Sequence, residues 1–177
     1  MIIEFVGLPR AGKTTLIDNY FSDEFIIHRE AFDLVPHSIS EYHQYNLWYA
    51  KYVAAELKKA LTDGKNHVFD RGVFDRFVFA QALFEDGKLT KDELDDQQKH
   101  LKELFSSVNE VVFCDVSVDD SINRDSTPNP MTGERKFLEK LRNNYLDLEK
   151  HTKIIKVPTN SSVRESIRIL YSFMRQK

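Results

Sequence analysis

Nine residues near the start of the chain, GLPRAGKTT, fit the spacing G-x-x-x-x-G-K-[ST] without a gap. Gly7, Leu8, Pro9, Arg10, Ala11, Gly12, Lys13, Thr14 and Thr15 read together as a phosphate cradle. Its glycines let backbone N–H groups wrap phosphate oxygens, and a helix starting at its end adds a positive dipole. Lys13 is expected to reach the β- and γ-phosphates of a nucleoside triphosphate, and the Thr14 hydroxyl to ligand Mg²⁺. The context agrees, because the apolar run IIEFV precedes the loop and the helical pattern KTTLIDNYF follows it.

A second chemical stretch is FDRGVFDRF, with two Asp-Arg pairs five residues apart between large apolar side chains. Asp70 and Arg71 close an apolar run, whereas Asp75 and Arg76 fall on the helical pattern after it. Phosphoryl transfer spreads negative charge over the group in flight, so arginines beside a phosphate cradle have an evident use. The plain alternative is an exposed i,i+4 pair between Arg71 and Asp75, worth a few tenths of a kcal/mol. Asp75 stays open between this pair and substrate contact, and Arg76 is expected to be structural or on the surface.

The elements that must position these residues follow a simple alternation. IIEFV (2–6), FIIH (25–28), HVFD (67–70), VVFCDV (111–116) and KIIKV (153–157) read as buried strands. Helical patterns lie between them: a long one within 38–63, one at 73–84, and one marked by Leu94, Leu101, Leu104 and Phe105. Further ones are marked by Phe137, Leu138, Leu141, Tyr145 and Leu148, and by Val163, Ile167, Leu170 and Met174, with Ser161 or Ser162 as the last N-cap. Such alternation implies right-handed crossovers and a parallel sheet covered on both faces. Ligands of such sheets bind at the carboxyl ends of the strands, where the cradle and Asp70 fall.

Other branches of phosphate-loop proteins are disfavoured. A guanine-reading N/T-K-x-D is missing, since VPTNSS offers Asn160 without a following Lys-x-Asp, and no apolar strand ends in Asp-Glu. A short single-domain chain with this loop reads as a kinase of a small metabolite.

Four segments resemble the thymidylate kinase and deoxynucleoside kinase group of P-loop kinases. They are FVGLPRAGKTT, HREAFDLVP (28–36), KKALTDGKNHVFDRGVFDRFVFAQALFEDG (58–87) and GERKFLEKLRNNYLDLEK (133–150). The resemblance implies an α/β P-loop NTPase fold: a nucleoside/nucleotide kinase-like three-layer sandwich with a five-stranded parallel sheet in the order 2-3-1-4-5. It implies one kinase domain over 1–177, with a short lid at about 123–135. It also implies ATP and Mg²⁺ as cofactors, and a nucleoside, nucleoside monophosphate or similar small molecule as acceptor.

Residue by residue, Asp70 matches the acid that holds Mg²⁺ through water, and Arg71 the arginine that holds the acceptor beside the γ-phosphate. Glu30 would orient or deprotonate the acceptor. Arg10 resembles a loop arginine that some thymidylate kinases use on the γ-phosphate in place of lid arginines, and Arg124 and Arg135 are the lid candidates. Phe32, Tyr49, Phe74 and Asp75 complete the candidate acceptor contacts. Departures are visible: Pro9 stands where thymidylate kinases usually carry an acid, Tyr49 where they keep an arginine, and Gly72 where a Ser or Tyr follows the Asp-Arg pair. A regulatory ATPase without a small acceptor, or a kinase acting on nucleic acid, are the alternative readings.

Bulk properties fit this picture. The 177 residues suffice for one sizeable core, and a net charge of −3 disfavours a nucleic-acid partner. Six histidines show no metal-ligand spacing, and the single Cys114 sits in an apolar run. The start MIIEFVG has neither a basic region nor a long apolar stretch, which reads as a cytoplasmic protein without a membrane span. The tyrosines 42, 45, 49 and 52, with Trp48, read as core packing, with a base-stacking wall as the alternative. KDELDDQQKH (91–100) reads as a solvated charged face. Oligomeric state stays open, a homodimer included.

Overall fold

All five apolar runs become strands, each within one residue of its expected span. The computed structural model describes residues 1–21, 24–124 and 134–174. Its strands are β1 (Ile2–Val6), β2 (Phe25–His28), β3 (Asn66–Asp70), β4 (Glu110–Asp115) and β5 (Ile154–Pro158). Every pairing is parallel and the order is β2-β3-β1-β4-β5, as the family resemblance implied. The central β1 is buried along its whole length, which is why it reads as a continuous apolar run rather than an alternating one.

The helices are α1 (Lys13–Tyr20), α2 (Tyr42–Ala60), α3 (Val73–Glu85), α4 (Lys91–Lys102), α5 (Val118–Asn123), α6 (Arg135–Asp147) and α7 (Val163–Met174). α3 packs among α2, α4 and α6, and α1 packs with α7, giving three layers with the sheet as the middle one. Short 3-10 turns at Phe32–Leu34, Phe105–Ser107 and Leu148–Lys150 join elements. The helix expected to run through Leu104 and Phe105 stops at Lys102 instead.

Local signals account for the ends of the later helices. Thr90 caps α4 in a reciprocal box with Glu93, and the Ser162 hydroxyl accepts from Glu165 N at the start of α7. The charged face expected at 91–100 is only partly solvated, because Gln97 and Gln98 are buried against the neighbouring helices. The short α5 was not foreseen; its six residues lack the length needed for a periodic pattern.

Most of the expected lid at 123–135, residues 125–133, lies outside the described residues. Among the described residues, no helix is long and apolar enough to cross a membrane.

Candidate active site

β1 delivers the chain into the loop Gly7–Gly12, and α1 begins directly at Lys13. Gly7 has φ +143°, and a Cβ there would stand 2.7 Å from the Cys114 carbonyl oxygen, so the turn needs glycine. Gly12, at φ +84°, serves as the N-cap of α1 in the left-handed region. Arg10 also takes a left-handed backbone, at φ 57°, with its side chain exposed on the loop. Pro9 lies at the rim, where its carbonyl accepts from the Ser121 hydroxyl of α5 at 2.6 Å.

Lys13 is buried and its ammonium donates to the carbonyls of Gly7 and Leu8, at 3.1 and 2.9 Å. Burial pushes its pKa down, helped by Arg71, while Asp70, Asp75 and Glu30 pull it back. From the neighbouring strand, the Asp70 carboxylate accepts from the Thr14 hydroxyl at 2.5 Å. A hydroxyl and a carboxylate meeting beside a phosphate loop form a hard-oxygen pair of the kind that suits Mg²⁺. Thr15 is exposed one residue further along α1.

Arg71 follows β3 directly, with φ 70°, an uncommon backbone for an arginine. That turn carries its guanidinium back across the sheet. Nη1 donates to the Gly7 carbonyl at 3.2 Å, to both Asp75 oxygens at 2.9 and 3.2 Å, and to the Tyr145 hydroxyl at 3.4 Å. Nε donates to Glu30 at 3.0 Å, so one side chain joins the cradle to the carboxylate that follows β2. Burial opposes its charge, but Asp75 and Glu30 outweigh that and keep it fully protonated.

Asp75 is 0% exposed, so the solvated i,i+4 ladder does not exist. Its carboxylate is shared between Arg71, Arg76 and the Tyr145 hydroxyl, which donates at 2.5 Å. Burial would raise the Asp75 pKa; Arg71, Arg76 and Lys13 overcome this and hold it below the usual value. Of the two roles expected for Arg76, structural or on the surface, the first holds. It is 1% exposed, hydrogen-bonded to Asp75 and stacked between Tyr49 and Phe79, with ring centroids at 4.6 and 4.4 Å.

Tyr49 lies against this group in α2, fully buried, and its hydroxyl accepts from Ala31 N beside Glu30 at 3.3 Å. The aromatic stripe is therefore split: Tyr49 is core, while Trp48 and Tyr52 stack half-buried with centroids 5.5 Å apart. Phe74 is fully buried and stacks on Phe105 at 3.9 Å, so its ring serves the core rather than sandwiching a planar ligand. The Phe32 side chain lies outside the described positions.

The expected lid arginines differ. Arg124 lies against the loop, donating to the Arg10 carbonyl at 3.4 Å and to the Thr159 carbonyl at 2.7 Å. With Gly12, Thr15, Thr159 and Ser161 it lines a cavity of about 240 Å³. Arg135 is exposed and paired with Asp119 and Glu139.

Sequence reasoning missed three groups here. Glu4 is a buried carboxylate inside β1; Tyr145 looked like one more apolar position of α6; and Asn46 carries a carboxamide into the core of α2. Asn46 Nδ2 donates to Gln97 Oε1 at 3.0 Å and to the Arg76 carbonyl at 3.4 Å. Asn46 Oδ1 and Arg76 Nε are buried with no hydrogen-bond partner among the described residues. The signal available for Glu4 was a carboxylate inside an otherwise apolar strand of a parallel sheet.

No family model and no curated protein matches the sequence. Solved structures do match in fold. Deoxyadenosine kinase from M. mycoides with bound dATP superposes with a TM-score of 0.74 at 16% identity, covering 99% of both chains. The same enzyme with the products dCMP and a flexible dCDP bound gives 0.77 at 16%, covering 100% of both. Thymidylate kinase from Candida albicans gives 0.70 at 14%, covering 99% of this chain and 91% of its own. The chain thus has the P-loop α/β fold of these kinases along its full length.

Proposed function

We propose that the protein is a phosphotransferase that moves the γ-phosphoryl group of ATP to a hydroxyl of a nucleoside-like small molecule. One observation carries the reading. The Arg71 guanidinium bonds at once to the Gly7 carbonyl of the phosphate loop and to Glu30, linking the donor side of the crevice to a carboxylate able to face an acceptor.

The roles follow from the geometry. Gly7–Thr15 would hold the triphosphate, with the Lys13 ammonium leaving its loop carbonyls for phosphate oxygens. Thr14 and Asp70 would hold Mg²⁺, which supplies charge neutralisation of the phosphates when bound. Arg71 and Arg10 would stabilise charge on the transferring group, and Glu30 would orient the acceptor hydroxyl and take its proton. The cavity bounded by Arg124 and Thr159 would take the nucleotide's base, adjoining Gly12 and Thr15 of the loop.

The acceptor side favours a neutral hydroxyl over a phosphate. Arg71 and Arg76 are both already matched by Asp75, and Glu30 adds a second carboxylate to Arg71. Tyr49 occupies the position where a thymidylate kinase-like chain would carry an arginine.

The deoxyadenosine kinase and thymidylate kinase folds support the same class. The test is ADP release with a panel of nucleosides, nucleoside monophosphates and oligonucleotides. A nucleoside-dependent signal is expected. Preference for monophosphates would move the acceptor chemistry to a phosphate, and no dependence on any acceptor would leave a nucleotide-binding regulatory protein. Arg71→Ala should abolish turnover with ATP affinity near normal, whereas a pure binding module would be little changed.

A further inference from the structure

One buried titratable group has no part in the chemistry above, and one residue of the Asp-Arg stretch has no side chain to contribute. They meet each other. Glu4 lies in the middle of β1, 1% exposed, and its carboxyl group is aimed at the first turn of α3. Oε1 accepts from the backbone N–H groups of Gly72 and Asp75 at 3.0 and 2.8 Å, and Oε2 from Phe74 at 3.2 Å. These are the N-cap residue and the second and third residues of the helix, whose N–H groups have no partner within it.

A helix normally meets that need with its own Ser, Thr, Asp or Asn at the N-cap. Here the N-cap is Gly72, which makes no side-chain cap. A Cβ at that position would stand 2.6 Å from Glu4 Oε2 and 2.7 Å from its Cδ. Gly72 and Glu4 are therefore complementary: the missing side chain makes the space that the carboxyl group fills. Burial alone would make Glu4 an expensive residue, so its retention at this place needs the three donors it satisfies.

We infer that Glu4 is a positioning residue for phosphoryl transfer, an N-cap supplied from the central strand that fixes the start of α3 and with it Arg71 and Asp75. The segment it grips, Gly72 to Asp75, lies between the left-handed Arg71 and the carboxylate that Arg71 binds. Arg71 N itself is tied to β1 through the Phe5 carbonyl at 3.1 Å, so β1 holds both sides of the turn. Releasing the Glu4 side would let Asp75 swing, and Arg71 would lose its register with the Gly7 carbonyl. This inference rests on the phosphotransferase reading, but its structural part does not.

The experiment is a swap of caps, using Glu4→Val, Glu4→Gln, Gly72→Ser and the Glu4→Val/Gly72→Ser double variant in the full chain. Glu4→Val should lower kcat for the best acceptor at least tenfold and leave the ATP dissociation constant within about twofold of wild type. Glu4→Gln keeps an oxygen for Gly72 and Asp75 and should recover most of kcat. Gly72→Ser should be damaging beside Glu4, where its side chain collides. In the Glu4→Val background it should raise kcat, because the serine hydroxyl then caps the helix locally.

That reversal of sign is the decisive result. A Gly72→Ser effect of the same sign in both backgrounds, or a Glu4→Val enzyme with wild-type kcat, would overturn the inference. Amide hydrogen exchange at Phe74 and Asp75 gives a readout independent of turnover. It should speed up at least tenfold in Glu4→Val relative to the rest of α3, and unchanged protection there would overturn the cap even if no acceptor were ever found. If Glu4→Val does not fold, the Glu4→Gln and Gly72→Ser exchange patterns decide the same point.

Discussion

Asp75→Asn separates the buried network from the surface ladder that its sequence spacing equally allows. The substitution keeps size and one acceptor oxygen but removes the negative charge shared by Arg71 and Arg76, which are 5% and 1% exposed. Two guanidiniums would be left in the interior, with Glu30 still facing Arg71 and no carboxylate bonded to Arg76 among the described residues. Removing one partner of a buried charge pair costs ~3–5 kcal/mol, whereas an exposed i,i+4 pair is worth only ~0.5 kcal/mol. In a domain of this size each kcal/mol moves Tm by ~2–4 °C, so the variant should melt ~6–20 °C below wild type. Thermal and urea melts measure this directly. Adding Arg76→Met should give back part of the loss, because the double variant no longer buries that unmatched cation; the two changes should be non-additive by ~1 kcal/mol or more. Acid titration adds a signed check. The Asp75 pKa is held below its ordinary value, so its contribution is present above the unfolded carboxylate pKa and is lost as pH falls through the folded one. Asp75→Asn should lack that acid-side loss. A variant melting within ~2 °C of wild type, or strict additivity with Arg76→Met, would refute the buried network.

Gly7→Ala should abolish ATP binding and cost ~3 kcal/mol or more in a urea melt, because the new methyl meets the Cys114 carbonyl at 2.7 Å in a left-handed backbone; wild-type affinity would contradict the cradle geometry. Glu4 carries the opposite pH signature to Asp75: burial raises its carboxyl to about 8, with the neighbouring Asp75 charge adding to the rise and the three N–H donors opposing it. Its proton-linked stability is present below the unfolded pKa and is lost as pH climbs from there to about 8, by up to ~1.4 kcal/mol per pH unit, so denaturant midpoints of Glu4→Gln should fall less over that range than those of wild type. Thr90→Ala removes the hydroxyl half of the capping box on α4, leaving the Thr90 N–H on Glu93, and should cost ~1 kcal/mol in the same assay without altering ATP affinity.

The parts of this protein that depend on local rules could be read directly from the chain. Strands buried on both faces are near-continuous apolar runs, so IIEFV and VVFCDV announced themselves, and the crossovers between parallel strands left few topologies to consider. The strand-loop-helix at Gly7–Thr15 was equally legible, because the turn depends on backbone conformations that its glycine positions write into the sequence. That placed Lys13, Thr14 and, through the strand end, Asp70 on one rim of the sheet. What the sequence could not show is which charges face each other across elements. Asp75 and Arg76 have the same spacing whether solvated or buried; only the packing of α2 and α6 against α3 makes them the interior hub that Tyr145 and Tyr49 enclose. Arg71 reaches the Gly7 carbonyl through a left-handed turn that no local pattern demands of an arginine. Glu4 is the clearest case: 68 residues separate it from Gly72, and the need it meets exists only because β1 and the start of α3 are brought side by side. Local periodicity and loop spacing thus determined the scaffold and the loop that follows β1, while long-range contact between charged groups, which leaves no periodic trace, decided the network around Arg71 and Asp75.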